Sequence, residues 1–163
     1  MSEYERGDVP LDATGMRVAI VAGRFNAHIT RPLVEGATGA LAELGAPPDT
    51  PVHWVPGAFE IPLVAKRLAA SGRVDAVICV GAVVRGETAH FEYVAGPCAS
   101  GVAQAGLDTG IPVIFGVLTT DDDQQALDRA GGRAGNKGDE AARTAVEMVQ
   151  LLRAIDKDDA SRC

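Results

Sequence analysis

Between Val80 and Phe91 an apolar run ends in a glycine turn, and a helical pattern follows. Gly86, Glu87 and Thr88 at such a turn can offer backbone N–H groups and a hydroxyl to an anion at a helix start. Two residues on, His90 can accept and donate a proton near neutral pH. An anion site beside a proton carrier points to chemistry on a phosphorylated substrate. Val55-Pro56-Gly57-Ala58-Phe59-Glu60-Ile61-Pro62 has the same strand, glycine and helix form, with Glu60 at the helix start. Gly23-Arg24-Phe25-Asn26 and Thr119-Thr120 also follow apolar runs. Each residue alone has an ordinary structural explanation: Phe25 as a loop anchor, Glu60 as a charge favoured by the helix dipole, Thr88 as an N-cap, His90 as a surface histidine. Four such turns meeting on one sheet edge shift the balance toward a ligand site.

The elements that must position them are legible as periodicity. Runs at 17–22, 51–55, 74–80 and 112–118 are apolar almost throughout, as strands covered on both faces are. Leu33, Ala37, Leu41 and Leu44 share one face of a helix that ends at Gly45. Pro62 opens a second helix and Gly72 closes it. Phe91, Val94, Ala95, Cys98 and Val102 mark a third, Asp121 to Arg129 a short fourth, and Ala142, Ala145, Val146, Val149 and Leu152 a long last one. The order predicts an α/β doubly wound, flavodoxin-like layered fold with a central four-stranded parallel sheet. Residues 1–15 form an N-terminal extension, 16–155 a single domain, and 156–163 a charged tail expected to fray.

Bulk composition bounds the function. With 163 residues, 47% of them hydrophobic, the chain suffices for one domain with a proper core. A formal charge of −7 excludes a general nucleic-acid or anionic-membrane surface, so any phosphate site must be local. No apolar run approaches the roughly 20 residues of a membrane span. Cys79, Cys98 and Cys163 form no CxxC pair and are odd in number, which argues against a disulfide framework or a zinc site and fits a reduced cytoplasm. His53 and His28 lack the neighbours of a metal site and read as structural; Trp54 reads as core or subunit contact.

Beyond these single residues, the sequence resembles the lumazine synthases over nearly its whole length. The resemblance rests on Arg24-Phe25-Asn26, on 56–62, on 81–94 with Arg85-Gly86-Glu87-Thr88-Ala89-His90, on Gly116-Val117-Leu118-Thr119-Thr120, and on 125–131 through Gly135-Asn136-Lys137-Gly138. It implies condensation of 5-amino-6-(D-ribitylamino)uracil with 3,4-dihydroxy-2-butanone 4-phosphate to 6,7-dimethyl-8-ribityllumazine, phosphate and water, the penultimate step of riboflavin biosynthesis. In that resemblance Phe25 stacks on the pyrimidine. Asn26, the backbone of Ala58 and Phe59, and Glu60 hold the ribityl chain, and backbone groups of Val83 and Val84 meet the uracil edge. Phe115 and Lys137 join the same substrate site. Glu87 and Thr88 offer N–H groups to the phosphate, and Arg129 reaches it from a neighbouring subunit. His90 shuttles protons. No metal or nucleotide cofactor is implied, since positioning and proton transfer suffice.

Gly96-Pro97 falls inside the third helix, where an interior proline costs about 3 kcal/mol, and predicts a kink or a late start there. Gly132-Arg133 stands where many family members carry Thr-Lys. The family assembles as pentamers or as icosahedral shells of twelve pentamers, and whether a shell here encloses riboflavin synthase as a partner is left open by the sequence. The short glycine-bearing connection 131–136 resembles the shell-forming members. The extension Ser2 to Gly15 is expected to lie along a neighbour. Two rivals share the layer order: a non-catalytic flavin or lumazine carrier, which would want a hydroxyl-rich loop after the first strand, and a shell protein without activity.

Overall fold

The computed structural model describes residues 5 and 7–162. Four strands, β1 (Val18–Gly23), β2 (Val52–Val55), β3 (Ala76–Val84) and β4 (Val113–Thr120), form one sheet in the order β2-β1-β3-β4, every pair parallel. Helices α1 (Ala27–Glu43), α2 (Ile61–Ala69), α3 (His90–Thr109), α4 (Asp123–Arg129) and α5 (Lys137–Ser161) connect and follow them. This is the expected doubly wound layer structure. The strands alternate their side chains between two cores. Ile20, Ile78 and Val80 pack with Leu33 and Leu41 of α1 and Val146 of α5, together with Ala126 of α4. Val21, Val77 and Cys79 pack with Ile61 of α2 and Cys98 and Val102 of α3. Both faces are thus covered, which is why these strands read as continuous apolar runs.

One local expectation is corrected, and the two ends of the domain are placed. Helix α3 begins at His90 and continues through Pro97, so the late start does not occur. Pro97 lies on the exposed side, where water can serve the Tyr93 carbonyl that loses its partner. The stretch 156–159, expected to fray, forms part of the last turns of α5, which end at Ser161. In the extension, Ala13 is fully buried, the Pro10 carbonyl accepts a hydrogen bond from Gln150 of the same chain at 3.2 Å, and Asp12 N–H donates back to Gln150 at 3.0 Å. The described end of that segment is therefore held by its own α5. Met1 to Tyr4 and Arg6, within the same expectation, lie outside the described residues, as does Cys163.

The connection between α4 and α5 forms a small hairpin, β5 (Ala130–Gly132) with β6 (Gly135–Asn136). Gly132 has no room for a side chain, because a Cβ there would stand 2.7 Å from the Asp128 Cα. Asp128, almost wholly buried, takes Arg133 at 2.7 Å and Gln124 at 2.9 Å, and these hydrogen bonds, Gln124's first, hold its carboxyl below the usual range. Arg133, flagged in the sequence as a departure, thus locks the hairpin onto α4.

Asn136 fastens the other end. Its side-chain oxygen accepts from Gly138 N–H at 2.8 Å and Asp139 N–H at 3.3 Å, capping α5, while its amide donates to the Pro32 carbonyl of α1 at 3.0 Å. A methyl at Gly138 would overlap the Leu33 carbonyl, so the two helices meet backbone to backbone. Asn136→Ala removes the cap and the cross-link together. It should lower stability by about 1 to 2 kcal/mol, measured as a fall in the urea midpoint at one fixed protein concentration; an unchanged midpoint would count against this account.

Candidate active site

The order β2-β1-β3-β4 places the topological switch point between β1 and β3, where ligands of open α/β sheets bind at the carboxyl ends. Pairing of β3 with β1 ends at Val80, whereas pairing with β4 continues to Val84. The last four residues of β3 therefore overhang β1 and present one backbone edge to an opening. Alternation decides which groups lie there. Val77 and Arg85 send their N–H groups toward β4, to Pro112 and Thr120, so the odd residues face β4 and the even ones face the opening. Of the two residues expected at the uracil edge, Val84 turns its backbone groups to the open side and Val83 gives its own to the β4 ladder.

Asn26 closes this opening from the β1 side. It is the one described non-glycine residue in the left-handed region, at φ 58°, and its amide donates to the Ala82 carbonyl at 3.0 Å. Thr30, fully buried, turns its hydroxyl back to the carbonyls of Phe25 and Asn26 at 3.4 and 3.3 Å. The turn after β1 is also tied to β2, through Arg24 N–H on Val55 and Phe25 N–H on Pro56. Phe25 is 73% exposed and its ring lies over Gly57, where a Cβ would stand 3.2 Å from ring carbon Cδ2. Beside it the Glu60 carboxylate accepts from Gly57 N–H at 3.0 Å, one oxygen remaining for a ligand. Ala58, Phe59 and Glu60 form a single 3-10 turn that leads into α2, with Phe59 58% exposed.

Glu87, Thr88 and His90 stand exposed at the α3 start, and the Thr88 hydroxyl accepts from His90 N–H at 3.4 Å. This is a local turn contact and not a helix cap: the N-cap position of α3 is Ala89, which has no side-chain cap, so the ordinary N-cap reading of Thr88 does not hold. Arg85, given no role from sequence, donates to Glu92 at 2.5 Å and to Asp121 at 3.3 Å, and lies over Phe91 with its guanidinium carbon 4.2 Å from the ring centre. The Arg85 hydrogen bond holds the Glu92 carboxyl below its ordinary range. Arg85 lies before the helix that carries Glu92, and Asp121 follows the next strand, so no sequence spacing signalled this group.

Two expected site residues are placed away from the cluster within one chain, and a third opens the last helix. Phe115 pairs with Cys79, four residues or roughly 13 Å down the sheet from the level of Val83, and is 41% exposed on edge strand β4. Arg129 ends α4, whose Ala126 packs in the α1/α5 core, while the α3 residues Cys98 and Val102 pack in the other. The sheet separates it from His90, and its guanidinium donates to its own helix at the Gln125 carbonyl, 2.9 Å away. Lys137 opens α5 and pairs with Glu140 at 2.7 Å.

The remaining histidines are accounted for outside the cluster. His28 Nε2 lies 2.8 Å from Asp123, joining α1 to α4, and His53 is exposed on β2 beside Trp54, over which Arg31 stands at 5.6 Å. Among the described residues no three His, Cys, Asp or Glu gather as metal ligands, and no helix is long and apolar enough to cross a membrane. Cys79 and Cys98 are both buried; burial raises both thiols, that of Cys98 to about 11.

Fold and topology together define a flavodoxin-like α/β protein whose exposed turns gather at the switch point of its parallel sheet. The profile of the 6,7-dimethyl-8-ribityllumazine synthase family matches residues 15–153. Proteins of that name from two strains of Thermus thermophilus are 60% identical over 148 residues, 90% of this chain and 94% of theirs. One from Syntrophus aciditrophicus is 58% identical over 146 residues, 89% of this chain and 95% of its own. The chain belongs to the 6,7-dimethyl-8-ribityllumazine synthase family.

The Asn26 geometry has a direct test. Glycine tolerates a left-handed turn that alanine resists by about 1 to 2 kcal/mol, whereas both substitutions lose the bond to Ala82. Asn26→Gly should therefore melt above Asn26→Ala and both below the parent, by thermal unfolding at matched concentration; equal midpoints for the two variants would remove the backbone from the explanation.

Proposed function

We propose that the chain condenses 5-amino-6-(D-ribitylamino)uracil with 3,4-dihydroxy-2-butanone 4-phosphate to form 6,7-dimethyl-8-ribityllumazine. The observation that carries this is the meeting, at one switch point, of a stacking ring, a free strand edge, a half-free carboxylate and an anion loop ending in histidine. Phe25 offers a flat face for the pyrimidine. Val84 offers an N–H and a carbonyl to the uracil edge, as an added strand would. The second oxygen of Glu60, the Asn26 oxygen and the backbone at Ala58 and Phe59 take the ribityl hydroxyls. The N–H groups of Glu87 and Thr88 take the phosphate.

The reaction then needs little beyond placement. The substrate amine attacks the carbonyl and a first water leaves to give the imine. Loss of a proton and of phosphate leaves an enol that tautomerises to a new carbonyl, which the ribitylamino nitrogen attacks, expelling a second water to close the ring. Each step moves a proton, and His90 stands at the end of the phosphate loop to accept and return it. Bringing two bound reactants together supplies most of the rest. The rival carrier role is less well supported: the turn after β1 offers Arg24, Phe25 and Asn26 in place of a hydroxyl-rich phosphate loop.

Phe115, Arg129 and Lys137 belong, in this reading, to a neighbouring copy's site. Phe115 and Arg129 lie away from their own cluster, and the exposed β4 edge with Phe115 is an apolar surface suited to a second chain. Five copies in a ring, and twelve such pentamers in a hollow shell, remain the assembly we favour; the 130–136 hairpin, folded tightly on α4, keeps the start of α5 compact. The protein works in the cytoplasm, and a shell would have room to enclose riboflavin synthase.

Purified protein mixed with both substrates should generate the lumazine chromophore, and His90→Ala should lower kcat roughly 10- to 100-fold while leaving particle size unchanged, because positioning survives. Absence of the chromophore with the parent protein would refute the activity, and a parental single-turnover rate for the variant would remove His90 from the chemistry.

Sharing of the site is tested by mixing. Particles reassembled from His90→Ala and Arg129→Ala subunits should regain some activity that neither variant has alone, with light scattering giving the mass of a shell. No recovery despite demonstrated exchange would show that Arg129 serves its own chain, and a single species of pentamer mass would exclude the shell.

A further inference from the structure

The chain leaves the sheet at Arg85 and re-enters regular structure at His90, with an exposed loop between that carries Glu87 and Thr88. Arg85 spans both ends of that loop. Its backbone N–H is fixed to the Thr120 carbonyl of β4 at 2.8 Å. Its side chain grips Glu92 and lies over Phe91, the two residues that follow His90, and reaches Asp121 just beyond β4. Strand end, helix start and the next strand end are thereby clamped by one planar group.

We infer that Arg85 is a positioning residue for the condensation: through Glu92, Asp121 and Phe91 it fixes where the 86–89 loop and the His90 imidazole stand, and it does not itself bind the phosphate. The inference rests on the activity proposed above. Single exposed ion pairs contribute little, but a guanidinium that bonds in its own plane and stacks on a ring fixes direction as well as distance, which an ammonium cannot do. Charge separates this role from phosphate binding. One arginine facing two carboxylates leaves a local charge of about −1, and Glu87 adds another negative group, so this cation is spent on the protein. A phosphate held here needs its positive charge from a different residue, consistent with an arginine brought by a second copy.

The test compares Arg85→Lys, Arg85→Met and the double variant Glu92→Gln/Asp121→Asn with the parent. Readouts are kcat, KM for each substrate, the thermal midpoint of the particle, and deuterium exchange of amides 86–92 without substrate. All three variants should lose about fivefold or more in kcat and exchange faster at 86–92. The thermal midpoint should hold, as should KM for the ribitylaminouracil, whose groove is built mainly on the β1 and β2 turns. A double variant that keeps kcat and lowers KM for the phosphorylated butanone would show that the freed guanidinium binds phosphate, overturning the inference. Full activity in Arg85→Lys would reduce the role to charge and overturn it equally, as would parental exchange in every variant. If the parent forms no lumazine the activity itself falls, while the exchange comparison still decides whether Arg85 holds the loop.

Discussion

The overhang of β3 beyond β1 is the constraint on which the site depends. A parallel strand that ended level with its neighbour would spend its backbone groups in the ladder. Because β1 turns away at Gly23 while β3 runs on to Val84, a strip of backbone is left with partners on one side only. Such a strip is costly when buried and unpaired, and the molecule meets part of that cost with Asn26, whose amide takes the Ala82 carbonyl. The left-handed turn at Asn26 is the local strain that makes this reach available. Just before it, Phe25 is held over Gly57 by its own N–H on the Pro56 carbonyl, so one short turn carries both the hydrogen-bonding edge and the stacking face.

Much of this was legible in the sequence, and for physical reasons. Continuous apolar runs 17–22 and 74–80 could only be strands covered on both faces, and glycine turns after them marked the carboxyl edge of the sheet. Strand ends were less legible: β3 runs four residues past the expected 80, because Gly81 to Val84 are as apolar as the strand and as turn-like as the motif. The hairpin at 130–136 was expected only as a tight turn, since its strands are too short to show alternation. The helix through Pro97 was misjudged because propensity alone cannot tell which side a proline will face.

The site residues divided in the same manner. Those reached by a local turn, Phe25, Asn26, Glu60, Thr88 and His90, fall together at the switch point. Phe115 and Arg129 are placed by the packing of β4 and α4, and that packing carries them elsewhere; a motif in the sequence does not state which chain completes it. Arg85 escaped for the opposite reason, being inside a recognisable motif while its partners are set by tertiary approach alone.

The last helix gives the molecule a direction. It starts beside the carboxyl ends of the strands and runs down the domain past Asp75, at the other end of β3, which Arg153 approaches to 3.6 Å. Val149 is its last buried residue. Beyond Arg153 the eight residues to Ser161 make a solvent-exposed arm of about 12 Å, pointing away from the ligand edge. A fluorophore, affinity tag or cargo-capturing peptide joined beyond that arm would be carried clear of the turns that do the chemistry, so within the single chain decoration and catalysis can be engineered at opposite poles.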